Sequence, residues 1–175
     1  PAPISPAAKA RAAGAPRTWP NLGGRDEMLL AAQILLTIAT LGYSAIPTLV
    51  DLGPTHATNP SWTGHARYHV VWQVASLVIM ALLGLFLTWT ATGPGIRLWI
   101  SAGLCVVAYG GFWAALLTRP KYQGILQDEV NGVPEVGFNV FGLKASIDAN
   151  VSQFAPLSLI ALIAIGLIAA LPPEA

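Results

Sequence analysis

The sequence predicts an all-α integral membrane protein, a bundle of four transmembrane helices. Three observations lead there. Only 10% of the 175 residues are charged and 54% are hydrophobic, whereas an ordinary soluble domain carries about 25% charged residues. The deficit is uneven, because long uncharged blocks alternate with short segments that hold nearly every Lys, Arg, Asp, Glu and His. Four blocks reach the roughly 20 residues that a helix needs to cross hydrocarbon, where a charged group costs several kcal/mol.

Residues 1–27 are rich in Pro, Ala and Gly and carry Lys9, Arg11, Arg17 and Arg25. They hold too little apolar surface to fold alone, so an extended or disordered tail is expected, with Trp19 at the membrane interface. The transmembrane domain then occupies 28–175. Its first span, about 28–50, runs from Met28 to Val50 with Gln33 as the one strongly polar residue. It is longer than the roughly 7–15-residue apolar region of a signal peptide. Pro47 is expected to weaken its last turn by freeing the carbonyl of Tyr43.

The second span, about 70–90, begins at Val70, and the third, about 97–117, begins at Arg97. Thr92-Gly93-Pro94-Gly95 between them is short enough to force an antiparallel pair of helices. The fourth, about 154–171, begins at Phe154 and stops before Pro172-Pro173. Small residues recur four apart, Gly110 with Ala114, Gly111 with Ala115 and Gly166 with Ala170, the spacing that lets membrane helices approach closely. Cys105, the single cysteine, lies inside an apolar block and reads as a small buried residue.

An even number of crossings puts both termini on one side. The tail and the turn at Arg97 hold five of the nine basic residues, so the positive-inside rule predicts cytoplasmic termini in a plasma or inner membrane. The same parity places the connections at 51–68 and 118–150 on the opposite face together. That face then gathers all three histidines, His56, His65 and His69, with Asp51, Asp128, Glu129, Glu135 and Asp148.

Within Asp51–His69 the chemistry is dense. Thr63 suits the N-cap of a helix starting near Gly64, which sets His65, His69 and Gln73 along one stripe. Imidazoles one turn apart can grip one metal ion. His56 is expected to fold back as a third ligand, and Asp51 to serve as a fourth ligand or as a hydrogen-bond partner behind the ligands. Such a set suits one transition-metal ion, Zn, Cu or Fe. The alternative for these residues is an interfacial role among headgroups, beside Trp62, Arg67, Tyr68 and Trp72.

The run Thr55-His56-x-x-Asn59-Pro60-x-Trp62-x-x-His65-Ala66-Arg67-x-His69 resembles the first-loop motif of an uncharacterised family of small four-helix membrane proteins from fungi and bacteria. The resemblance covers this loop tightly and the rest of the chain through topology alone. It implies no established activity. Some members carry the label acetyltransferase, and the chain holds no acyl-CoA-binding feature to match it.

In the third loop, Phe138, Val140, Phe141 and Leu143 between Gly132, Gly137 and Gly142 predict a segment lying at the interface or covering the bundle mouth, and Asp148 suits a helix cap. Intramembrane polar residues are Gln33, Thr37, Tyr43, Ser76, Ser101, Tyr109 and Ser158. None is ionised at neutral pH, which argues against a proton-coupled pump. With a net charge of +1 and no nucleic-acid motif, the expected partners are the lipid bilayer and other membrane subunits or further copies of the chain, and no nucleic acid. The leading functional expectation is an accessory or structural subunit of a larger membrane complex. The alternative is a membrane enzyme or metal-binding protein whose histidines serve an apolar substrate.

Overall fold

The computed structural model describes residues 22–128, 130, 135–140 and 143–172. Of the tail expected over residues 1–27, positions 1–21, with Trp19, lie outside the described residues, as do Glu129, Gly132, Phe141 and Gly142, while 22–27 are helical instead. The elements are α1 (Leu22–Asp51), α2 (Gly64–Trp89), α3 (Ile96–Thr118), a 3-10 turn (Arg119–Lys121), β1 (Glu135–Val140), β2 (Leu143–Asp148) and α4 (Ala149–Ala170). Among the described residues, four helices are long and apolar enough to cross a membrane. The chain is an integral membrane protein with an all-α transmembrane bundle.

α1 is the central helix. It packs against the other three, α3 touches both α2 and α4, and α2 and α4 stand at opposite corners without meeting. Ala32, Leu36, Ala39 and Tyr43 are completely buried along one stripe of α1. Leu98, Ala102, Cys105 and Tyr109 repeat the same spacing on α3, the alternation of four and three that keeps a helical seam in register. Ala161, Ala164 and Ile168 complete the core from α4. Cys105 is buried as expected, its Sγ 3.7 Å from Thr40 Oγ1. Outward positions such as Ile79, Leu82, Phe86, Leu159 and Leu162 are exposed, which suits a surface bathed in acyl chains.

One end of the bundle is narrow, closed by the short α2–α3 turn and by Ala91 and Leu171 in the core. Polar side chains cross-link it. Gln33 Nε2 donates to the carbonyls of Thr88 at 2.9 Å and Ala91 at 3.1 Å. Ser101 Oγ lies 2.7 Å from Thr88 Oγ1 and donates to the Gly84 carbonyl. Farther along α3, toward the other end, Tyr109 donates to the Ala39 carbonyl at 2.6 Å, and Trp113 Nε1 to Ser158 Oγ at 2.9 Å. Each bond satisfies a group that hydrocarbon would leave unpaired.

The structure departs from the sequence reading in three places. α1 begins at Leu22, six residues before its apolar block at Met28, whereas α2 at Gly64 and α4 at Ala149 start where the Thr63 and Asp148 caps predict, ahead of the apolar blocks at Val70 and Phe154. Hydropathy marks the part inside hydrocarbon, whereas backbone hydrogen bonding carries on into the headgroup layer. α1 also runs through Pro47 to Asp51.

The expected close-packing glycines are not where helices meet. A Cβ at Gly110, Gly111 or Gly166 would touch nothing within 4 Å. The close approaches fall instead at Gly42, where a Cβ would sit 2.5 Å from Leu157 Cδ1, and at Gly84, 3.6 Å from Ser101 Oγ.

Lastly, the third loop is not all irregular. β1 and β2 form an antiparallel hairpin with Glu135 opposite Asp148 and Phe138 opposite Ala145. The alternation Val136-Gly137-Phe138-Asn139-Val140 carried that signal.

Candidate functional site

At the other end the helices spread apart around a cavity of about 630 Å³, a size typical of small-molecule sites. Its walls come from all four helices and the first loop. Tyr43, Ile46 and Val50 enter from α1, Leu77 and Met80 from α2, Val107, Ala108 and Phe112 from α3, and Phe154 from α4. Asp51, Thr55, His56, Gln73, Asn150 and Gln153 add polar groups to this apolar lining. The first loop and the start of α4 thus share one end of the bundle, as helix parity requires.

The first loop is a compact series of turns that fixes His56. Gly53 follows the end of α1, where a Cβ would crowd the Val50 carbonyl at 3.0 Å. Backbone bonds from His56 N to Gly53 O and from Ala57 N to Asp51 O fold the chain back over the helix end. Asn59 is buried, and its Oδ1 accepts from both Ser61 N at 2.9 Å and Ser61 Oγ at 2.7 Å. That turn lets the chain pass Pro60, which has no N–H to offer. Thr63 then caps α2, its Oγ1 accepting from Ala66 N at 3.2 Å.

His56 Nδ1 lies 2.8 Å from Thr55 Oγ1 and 3.8 Å from Asp51 Oδ1. Its ring packs edge-on against Trp62, with centroids 5.2 Å apart. One nitrogen is therefore held by loop groups, which sets the ring's orientation and leaves Nε2 as the nitrogen for an incoming partner. The carboxylate and the imidazole are both about three-quarters buried.

His65 and His69 form a separate pair on the exposed face of α2. Their Nε2 atoms are 3.0 Å apart and the rings cross at 88°. Tyr68 and Trp72 flank His69, with centroids 5.8 and 5.9 Å away. Neither histidine lines the cavity, but Gln73, one turn further on, does.

The four residues expected to share a metal, His56, His65, His69 and Asp51, are thus divided into two pairs. Among the described residues no group of three or more His, Cys, Asp or Glu side chains is placed to hold a metal ion. Nor do the described third-loop carboxylates line the cavity. Asp148 Oδ1 caps α4 by accepting from Asn150 N and Val151 N, and Glu135 accepts from Gln127.

The arrangement offers something else. Beside the Asp51–His56 pair, the side-chain amides of Gln73, Asn150 and Gln153 bond to nothing among the described residues, so donors and acceptors stand ready at one side of an apolar chamber. Sequence reasoning missed Asn150 and Gln153. The available signal was a pair of amides three apart on one helix face, just ahead of an apolar span. Comparison of the chain with protein-family models, with curated proteins and with solved structures gives no match.

Proposed function

We propose that this integral membrane protein takes up a small amphipathic molecule from the bilayer, as a membrane enzyme or carrier for an apolar substrate. The observation that carries the reading is the cavity, apolar over most of its wall and lined by Asp51, His56, Gln73, Asn150 and Gln153 among its polar groups. The apolar body of the ligand packs against Leu77, Met80, Phe112 and Phe154. Its polar end meets the amides and the imidazole, whose carboxylate neighbour suits it to give or accept a proton. By this reading the histidine motif divides its labour: His56 serves the cavity, and His65 and His69 stand at the membrane boundary. The membrane is a plasma or inner membrane with cytoplasmic termini, supported by the basic residues near Arg25 and Arg97.

The test is organic extraction and mass spectrometry of the protein purified in mild detergent. A discrete lipid-like species should be enriched over bulk membrane lipid. It should be lost from Ala108→Trp, which fills the chamber, and kept in Gly103→Trp, where a Cβ meets nothing within 4 Å. No enrichment in the parent would end the proposal.

A second reading, an accessory subunit of a larger membrane complex, is favoured by one observation. Gly103 and Gly110 on α3 present an exposed small-residue face with no neighbour within 4 Å of a Cβ, a surface on which another helix could pack closely. Stable co-purification of other subunits, abolished by Gly110→Trp with the lipid species unchanged, would support that role.

A further inference from the structure

The hairpin β1–β2 sorts its residues strictly by chemistry. In the antiparallel register Val136 faces Ile147 and Phe138 faces Ala145, so these four side chains share one face. The opposite face takes Glu135 with Asp148 and Gly137 with Ser146. The ribbon is therefore amphipathic. Its apolar face is also uncovered, since Val136 and Phe138 remain 44% and 46% exposed.

Two positions for this ribbon were expected, at the membrane interface or across the bundle mouth. The second is not observed. Among the described residues the hairpin touches no helix except α4, and none of its residues lines the cavity. A two-stranded ribbon is marginal in water unless something covers its apolar side. The apolar phase it reaches follows from connectivity. β2 ends at Asp148 and α4 begins at Ala149, so the ribbon continues directly into the lipid-exposed surface of a membrane-spanning helix.

We propose that the β1–β2 hairpin is a membrane-surface anchor that lies flat on the bilayer and presses Val136, Phe138 and Ile147 into the boundary between headgroups and acyl chains. Depth is limited by the backbone. Among the described residues both strands are edge strands of a two-stranded sheet, and the outward N–H and C=O groups of an edge strand would lack partners in hydrocarbon. The ribbon accordingly stays within the outer 5–10 Å or so that interfacial segments occupy, with Glu135 and Ser146 toward water.

The experiment uses the full chain in phosphatidylcholine–phosphatidylglycerol vesicles. Phe138→Cys, Val136→Cys and Ser146→Cys are each labelled with an environment-sensitive fluorophore. The parent, whose only cysteine is the buried Cys105, sets the background. Labels at 138 and 136 should be blue-shifted, and quenched several-fold more by lipids spin-labelled near the headgroup than by aqueous iodide. The label at 146 should show the reverse. Equal iodide quenching at all three positions would mean a ribbon free in water and would overturn the proposal. Protection of 138 and 136 from both quenchers would mean cover by protein, from a second copy or another subunit, and would overturn it equally. Stronger quenching by deep-labelled than by shallow-labelled lipids would refute the surface placement.

Discussion

Replacing Gln33 with Met is a direct test of how the narrow end is held together. Gln33 is 7% exposed, and its single amide nitrogen donates to two carbonyls, Thr88 at 2.9 Å and Ala91 at 3.1 Å. Both acceptors lie at or just beyond the end of α2, where helical carbonyls run out of intrahelical donors; Thr88 O also accepts from Ala91 N at 3.4 Å, so the Ala91 carbonyl is the one left bare. Methionine keeps much of the length and apolar volume while removing the donor, so the change isolates the hydrogen bonds. Side-chain bonds between membrane helices average about 0.6 kcal/mol each, and an acceptor left bare in a buried site adds roughly 1–3 kcal/mol. Together these predict a loss of about 2 kcal/mol. Equilibrium unfolding by sodium dodecyl sulfate in mixed micelles, followed by helical circular dichroism, measures it. Trp89→Phe provides the scale, because it removes one exposed bond, Trp89 Nε1 to Thr37 Oγ1 at 3.1 Å, and should cost about 0.6 kcal/mol or less. A Gln33→Met protein as stable as the parent, or less affected than Trp89→Phe, would refute the claim that this amide ties α1 to α2.

Three further outcomes follow, two from the packing and one from the histidine geometry. Gly42→Val should destabilise the bundle by about 1–3 kcal/mol in the same assay, because its Cβ meets Leu157 at 2.5 Å and a Tyr109 hydroxyl pinned by its bond to Ala39. Gly110→Ala should be neutral or slightly stabilising, since nothing lies within 4 Å of its Cβ. In a titration with Cu²⁺ or Ni²⁺, His65→Ala and His69→Ala should each remove the binding that a two-imidazole chelate provides, because their Nε2 atoms lie 3.0 Å apart. His56→Ala should leave that binding intact, and an equal loss in all three variants would restore the single-site arrangement.

The fold was legible because a bilayer imposes a one-dimensional constraint. Each crossing must be a run of apolar residues about 20 long, and such runs can be found without knowing their neighbours. Helix parity then brought the first loop and the start of α4 to one end, where Asp51, His56 and Asn150 now line one cavity. Which side chains meet there was not legible, for two physical reasons. A stripe at four-residue spacing drifts about 40° per step on a helix of 3.6 residues per turn. Gln73 is thereby rotated about 80° from His65, so Gln73 reaches the cavity and His65 does not. The position of His56 depends on the Gly53 and Asn59 turns, whose outcome rests on backbone hydrogen bonds that residue spacing does not reveal. The hairpin was missed for a related reason: its strands are six residues each, short beside the helical blocks that dominate the hydropathy pattern.

The distribution of polar side chains between the two ends gives the functional reading its physical basis. At the narrow end Gln33, Thr88 and Ser101 each find a partner on a neighbouring helix, so their presence in an apolar bundle is explained by cohesion alone. At the wide end Gln73, Asn150 and Gln153 carry equally polar groups into a cavity wall without binding one helix to another. They therefore contribute no comparable cohesion. The bundle instead stays open by about 630 Å³ around a loop whose turns orient a single imidazole. Polar groups that do not cross-link helices, set in a cavity that apolar packing has not filled, are what a bound molecule with one polar end requires.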